Sequence, residues 1–394
     1  MLSANPIKPR TSRADRVRPF YVMDLLARAN QLEAEGRSVL HMEVGEPDFP
    51  TPQPVIEAGI RALQAQLTHY TPALGLPELR RAIADYYRVQ FDVAIEPRRV
   101  IVTPGASGAL QLALAVLLDT GDRVLLTDPG YPCNRNMIRL LGADCIDVAV
   151  GPESHYQLQA AHIERYWDDS TVAAMIASPS NPTGTMISAG ALQSLLDAVA
   201  AKGGCLIVDE IYQGLVYDEQ NHTALALSES AIVINSFSKF FGMTGWRLGW
   251  MVAPEMYVDA ADRVAQNLFL APPTVSQHAA LAAFAPETLE ILQRRVDIFQ
   301  QRRDFLLPAL RAMGFVISVE PEGAFYIYAD CSAITSDAFS WCHDLLEAEG
   351  VAVTPGIDFG ENAAARHVRF AYTRPVEELE CACDRITKYI KKTS

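Results

Sequence analysis

The stretch "INSFSKFFGMTGWRLGW", Ile234–Trp250, starts as an apolar, β-branched run and breaks into small polar residues. It then carries a single lysine, Lys239, followed by Arg247. With "AIV" before it, the run reads as a buried strand, so Ser236, Ser238 and Lys239 fall just past its carboxyl end. In an open parallel sheet, ligands bind outside that edge. The stretch therefore raises the question of whether other strands end in the same way.

From about Arg99 to Pro254, short apolar runs alternate with helical patterns: "RVIVTPG", "DRVLLTD", "CIDVAV", "VAAMIASPS", "CLIVDE", "AIVINSFS" and "RLGWMVA". This alternation predicts an α/β fold, with a mostly parallel seven-stranded sheet whose strands are covered on both faces. Between the runs, "GALQLALAVLLDTGD" and "SAGALQSLLDAVAAKGG" read as helices that stop at Gly121 and Gly203. After about Pro272 the pattern changes to the long charged helix "APETLEILQRRVDIFQQRRDFLLPALRAMG", then the short runs "VISVE", "AFYIYAD", "VAVTPG" and "HVRFAY". These predict a smaller α+β domain. The N-terminal helix "YVMDLLARANQLEAEG" is too small to fold alone, which assigns residues 46–275 to the large domain and residues 1–45 with 276–394 to the small one.

The 394-residue length also favours two domains. The 49% hydrophobic and 20% charged fractions suit a folded chain nearly throughout. A formal net charge of -14 argues against nucleic acid or an anionic membrane surface as partner. No apolar run approaches the roughly 20 residues of a membrane span, and the first residues lack the apolar centre of a signal peptide, so the expected compartment is the cytoplasm. The seven cysteines are scattered, without a CxxC pair or a neighbouring histidine at metal-ligand spacing, and read as reduced thiols rather than a metal site.

Polar residues gather where the strands end. "TPGASGAL", Thr103–Leu110, leads into a helix N-terminus that offers free N–H groups to an anion, although a tight turn alone needs no ligand. Asp209 closes "CLIVDE" and needs a cationic or hydrogen-bonding partner, or else caps a helix. Tyr212, one helical turn on, can face the same space. "NPTG" is a turn that fixes the Asn181 amide. Burial of Lys239 would lower its pKa and make it a nucleophile toward carbonyls. Ser236, Ser238 and Arg247 suit a phosphate. One ligand with a phosphate, an aromatic ring, a protonated ring nitrogen and an aldehyde meets all these requirements: pyridoxal 5'-phosphate.

The ordered set "VGEPDF", "YTPALGLPELR", "TPGASGAL", "SPSNPTG", "VDEIYQGL", "SFSKFFGMTGWRLGW" and "HVRFAY" resembles the class I/II aminotransferases of fold type I over nearly the whole chain. The resemblance implies that Lys239 forms the internal aldimine and moves the proton between substrate Cα and the cofactor. It implies that Asp209 pairs with the pyridine nitrogen, that Tyr212 and Asn181 bond the 3'-oxygen, and that Tyr131 stacks on the ring. Ser107, Ser236, Ser238 and Arg247, with the N–H groups of Gly105 and Ala106, would hold the phosphate. Tyr70 would reach the cofactor of the second subunit in a homodimer. Arg369 would pair with the substrate α-carboxylate beside Gly45 and Asn181.

The implied activity is transfer of an amino group from an L-amino acid to a 2-oxo acid. A β-elimination lyase on the same scaffold is the alternative. A non-catalytic cofactor-binding regulator ranks below both, since only about 20 residues precede the first helix, too few for a DNA-binding domain. No second arginine for a side-chain carboxylate is identifiable. The segments that usually shape the side-chain pocket, "RPFYVMDL" (Arg18–Leu25) and "QNLFLAPPT" (Gln266–Thr274), are aromatic and apolar, which favours neutral or aromatic substrates.

Overall fold

The computed structural model describes residues 12–217 and 221–393. A short strand β1 (Leu40–His41) precedes the main sheet. That sheet comprises β2 (Val100–Thr103), β3 (Arg123–Asp128), β4 (Asp144–Ala149), β5 (Thr171–Ala177), β6 (Cys205–Asp209), β7 (Ile232–Ser236) and β8 (Gly249–Val252). Strands β9 (Tyr326–Asp330), β10 (Val351–Ala352), β11 (Thr354–Pro355) and β12 (His367–Ala371) follow.

Each of the seven apolar runs becomes one strand of the main sheet, in the order β2-β8-β7-β6-β5-β3-β4. All pairings are parallel except those of β8, which runs antiparallel to β2 and β7. Except in the edge strand β4, which is largely exposed or half-buried, the runs are mostly apolar because both faces of the sheet are covered. Val100, Val102 and Val233 enter one core with Leu192 and Trp250, while Ile101, Ile232 and Ile234 enter the other with Leu112 and Ala261. Alternate residues thus serve opposite layers of helices.

A second assembly contains the antiparallel sheet β11-β12-β9 and the parallel ladder β1-β10. The long helix Pro286–Ala312 and the helix Val376–Thr393 contribute Phe299, Leu306 and Ile386 to a separate core with Ile327 and Phe370. The helix Tyr21–Ala34 buries Leu25, Ala29 and Leu32 against Leu346 and Ala352.

Four local expectations are corrected. "VISVE" forms no strand: Val316 makes one isolated bridge to Asp330, and the chain then leaves so that Glu322 N–H can bond the Gly184 carbonyl. "VAVTPG" splits into β10 and β11, which belong to different sheets. The helix read as stopping at Gly121 spans Gly105–Leu117, with Gly121 in the turn that follows. Asp209 caps no helix and Tyr212 is not helical, because turns follow β6 directly. Among the described residues no helix is long and apolar enough to cross a membrane, and no group of histidines, cysteines and carboxylates is arranged to hold a metal ion.

The direction of β8 matters for the site. Gly249, its first residue, pairs with Thr103 at the end of β2 and with Ser236 at the end of β7. An antiparallel strand therefore delivers Arg247, just before it, to the same edge that parallel strands reach with their carboxyl ends.

Candidate active site

A cavity of about 210 Å³ opens at that edge. The strand ends bring Asn181, Asp209, Tyr212 and Lys239 onto its wall, the first turn of the helix Gly105–Leu117 adds Ala106 and Ser107, and the segment after β3 adds Tyr131. Gly45 and Arg369 reach it from the second assembly. Residues as far apart in sequence as Gly45 and Arg369 are thereby gathered around one volume.

Lys239 donates from Nζ to the Gly45 carbonyl at 2.5 Å. Burial lowers its amine to about 8; the carboxylate of Glu46 opposes the shift, and the guanidinium groups of Arg369 and Arg247 reinforce it. A useful fraction of the amine is therefore neutral near pH 7, as a nucleophile or base must be. Asp209 accepts the Ile211 N–H at 3.0 Å, but burial outweighs that bond and the field of Lys239, and raises its carboxyl to about 6. An enclosed carboxylate in this state gains from a cation placed against it.

Arg369 is 3% exposed. Its Nη1 donates to Asn181 Oδ1 at 2.9 Å, and its Nη2 donates to the Glu43 carbonyl and to Thr354 Oγ1. The guanidinium lies over the Tyr326 ring, 4.3 Å from its centre, and 4.8 Å from that of Phe359. Its Nε is buried with no hydrogen-bond partner. That orphaned donor is the kind of group a ligand carboxylate satisfies. Asn181 commits its oxygen to Arg369 and keeps its amide N–H groups to donate.

The remaining anion-binding candidates lie around the cavity rather than on its wall. Gly105 has φ +73°, and a Cβ there would stand 2.6 Å from Arg247 Nη2, so the guanidinium sits against the start of the helix Gly105–Leu117. Ser236 Oγ accepts the Ser238 N–H at 3.0 Å and lies 3.2 Å from the Leu248 carbonyl. Ser236 thus fixes the turn that carries Ser238. Tyr70 is 82% exposed and is not brought to this cavity. Nor is Gln266–Thr274, whereas Phe20, Val22 and Met23 from Arg18–Leu25 line it.

Tyr326 was not singled out from the sequence, where "AFYIYAD" is one short run of the smaller domain. Its hydroxyl lies 2.7 Å from that of Tyr212. A Cβ on Gly45 would fall 1.7 Å from the same hydroxyl. The missing side chain in "VGEPDF" therefore makes room for Tyr326, and that glycine was the available signal. Gly45→Ala is expected to push Tyr326 out of contact with Tyr212 and Arg369. Thermal denaturation should show a loss of about 1–3 kcal/mol, as overpacking of a tight site costs. An unchanged melting temperature would mean that the backbone at Gly45 gives way instead.

The residues fit pyridoxal 5'-phosphate. A buried carboxylate in need of a cation faces the cavity, a reactive amine stands beside it, and a helix start carries an arginine for the phosphate. Fold and site together define a pyridoxal-phosphate-dependent transferase of fold type I. The profile of the family described as aminotransferase class I and II matches residues 37–386, and the chain belongs to that family.

It is 38% identical to the valine–pyruvate aminotransferase of Mycobacterium tuberculosis, over 95% of this chain and 97% of the relative. It is 33% identical to the aspartate/prephenate aminotransferase of Thermus thermophilus, over 96% and 98%. The crystal structure of an aminotransferase from Mycobacterium tuberculosis superposes with a TM-score of 0.94 at 37% identity, covering 98% of this chain and 100% of that one. The protein is an aminotransferase that works with pyridoxal 5'-phosphate.

Proposed function

We propose that the protein transfers the amino group of a neutral or aromatic L-amino acid to a 2-oxo acid. The observation that carries this reading is the cavity wall. Phe20, Val22, Met23, Leu110 and Met137 surround it, and among the described residues Lys239 and Arg369 are its only cationic side chains. Arg369 serves the carboxylate that every amino acid carries, which leaves apolar surface for the side chain. The relative named for valine and pyruvate supports the same substrate class.

When bound, the cofactor supplies an aldehyde carbon that takes up the amino group and a cationic ring that withdraws electrons from Cα. The chain's own groups do the rest. Arg369 holds the α-carboxylate with its Nε and an Nη, a fork kept rigid by Asn181, Thr354 and the Glu43 carbonyl. Lys239 carries the proton to and from Cα. Asp209 would keep a proton on the ring nitrogen, Tyr212 and Asn181 would donate to the ring oxygen, and Tyr131 would lie against the ring. Gly105, Ala106, Ser107, Ser238 and Arg247 would receive the phosphate, with Ser236 behind them.

The same reading makes residues 46–275 the cofactor-binding domain and the two chain ends the smaller one. It also includes a homodimer, in which Tyr70 completes the partner's site. Ile60, Leu63, Leu67, Tyr70, Leu268 and Leu270 are exposed apolar residues on neighbouring segments, joined where Thr274 Oγ1 donates to the His69 carbonyl at 2.7 Å. Such a surface supports association. Seven free cysteines support a reducing compartment, the cytoplasm.

The test is a half-reaction screen of the standard amino acids, followed by the absorbance of the bound cofactor. Aromatic and branched neutral donors should convert it about 100-fold more efficiently than aspartate. Equal rates for aspartate would sink the substrate class. Release of pyruvate and ammonia without an acceptor would point to elimination instead.

A further inference from the structure

We propose that His41 and Glu43 are positioning residues that set Arg369 and Lys239 through the main chain of residues 43–45. The inference rests on the roles given above to those two side chains. Glu43 is 0% exposed, yet it is a carboxylate. His41 Nδ1 lies 2.7 Å from its Oε1, while its Oε2 is buried with no partner. On the other side of the imidazole, Nε2 lies 3.3 Å from Glu33 Oε1. Burying a carboxylate costs heavily unless a counter-charge accompanies it, and His41 as imidazolium is that counter-charge.

The position of this pair in the chain gives it reach. Met42, between the two, is pinned on both sides: its N–H bonds the Ala352 carbonyl at 2.9 Å, and its carbonyl accepts the Ala371 N–H at 2.8 Å. The next carbonyls serve the site. That of Glu43 accepts from Arg369 Nη2 and from Thr354 Oγ1 at 2.9 Å, and that of Gly45 accepts from Lys239 Nζ at 2.5 Å. A tightly held Glu43 side chain therefore fixes two acceptors that aim the carboxylate-binding arginine and the reactive lysine. If the imidazolium is lost, the buried carboxylate loses its counter-charge and must move, and both acceptors move with it.

The charged groups around His41 are Glu33 on the helix Tyr21–Ala34, Glu43, and Arg374, whose Nε donates to the His41 carbonyl. Glu46 and Asp48 share with Glu33, Arg374 and the His41 ring the pocket on that side. The hydrogen bond to Glu43 is the main cause that raises the His41 pKa, followed by burial acting against it. A raised histidine pKa means that the pairing is complete at low pH and is lost as the pH rises through the folded-state value.

The experiment uses the holoenzyme and 3-phenylpropionate, a carboxylate without an amino group, as a non-reacting probe, with binding measured by calorimetry. His41→Gln and Glu43→Gln should each weaken it about 10-fold or more, the scale of a small misplacement in a positioned site. KM for donor and for 2-oxo acid should rise together, and the pH midpoint of the bound cofactor's absorbance should move. The double variant, which removes both charges at once, should recover most of the affinity. A merely structural pair would lower the melting temperature without moving the midpoint or the affinity, and that result would overturn the proposal.

Arg369→Lys is measured in parallel. If it leaves probe binding unchanged, the role of Arg369 fails first, and the positioning inference fails with it. If it weakens binding while the two glutamine variants do not, the positioning inference alone is wrong. Should a single variant not fold, the comparison of wild type with the double variant decides. Affinity should fall with rising pH in the wild type through His41 deprotonation and lose that step in the double variant. Identical pH profiles would overturn the proposal.

Discussion

Lys239→Ala is expected to yield a folded protein that holds pyridoxal 5'-phosphate without a covalent link and turns over at least roughly 10⁴-fold more slowly. The side chain enters no packed core: it crosses the cavity edge to bond the Gly45 carbonyl, so its removal costs one hydrogen bond and little apolar burial. Cofactor binding should persist, because the donors at the start of the helix Gly105–Leu117, Arg247 and Asp209 are untouched. Turnover should not, because no other amine lines the cavity among the described residues. Absorbance spectra would show loss of the lysine-linked band, and rapid mixing with an amino acid would give the residual rate. Partial rescue by added methylamine would confirm that the missing group is a base. Substantial turnover without it would assign the proton transfer to another side chain.

Asp209→Asn should be the second most damaging change, lowering turnover by about 10²–10³-fold, as the loss of a preorganised charge at a reacting centre does. It also carries a pH signature. Burial raises the Asp209 carboxyl to about 6, well above the ordinary aspartate range. A raised carboxyl favours the cofactor-free protein while protonated, so its contribution is complete below about pH 4 and is lost as the pH rises through about 6. A cationic ring nitrogen offsets this loss by pairing with the carboxylate. Cofactor affinity relative to the asparagine variant should therefore increase across that window. Titrations between pH 4 and 8 on both proteins test it, and parallel curves would mean that Asp209 does not face the ring nitrogen.

Much of this site was legible in the sequence because parallel strands end at one edge. Asp209, Asn181, Ser238 and Lys239 each follow an apolar run, and the sheet rule gathers such residues before any coordinates exist. The strands themselves were legible because continuous burial leaves no polar alternation to confuse them. Other parts were legible only through the family resemblance. Arg369 sits within a strand, β12, and nothing in "HVRFAY" distinguishes a ligand-binding arginine from a surface ion pair.

Tyr326 was hidden because an aromatic residue in a buried strand looks like core, and its role appears only in contact with Tyr212, Arg369 and Gly45. "VISVE" misled for a related reason: strand propensity describes a residue's preference, but a strand needs the chain to stay alongside its neighbour, and here it leaves the edge of β9 after the single bridge of Val316 to Asp330. Tyr70 and Gln266–Thr274 lie away from the cavity of this chain, and their expected roles came only with the family resemblance.

The fit of Tyr326 against Gly45 also orders what mutation can reach. A Cβ at position 45 meets Tyr326 Oη at 1.7 Å, Cζ at 2.7 Å and Cε1 at 3.0 Å. Exchanging tyrosine for phenylalanine removes only the first of these collisions, so the ring must go before alanine is admitted. Yet the ring underlies Arg369 and its hydroxyl meets Tyr212, so the permissive step is itself harmful. In a laboratory evolution experiment the two positions should therefore change together or not at all, and a library randomised at position 45 alone should return glycine.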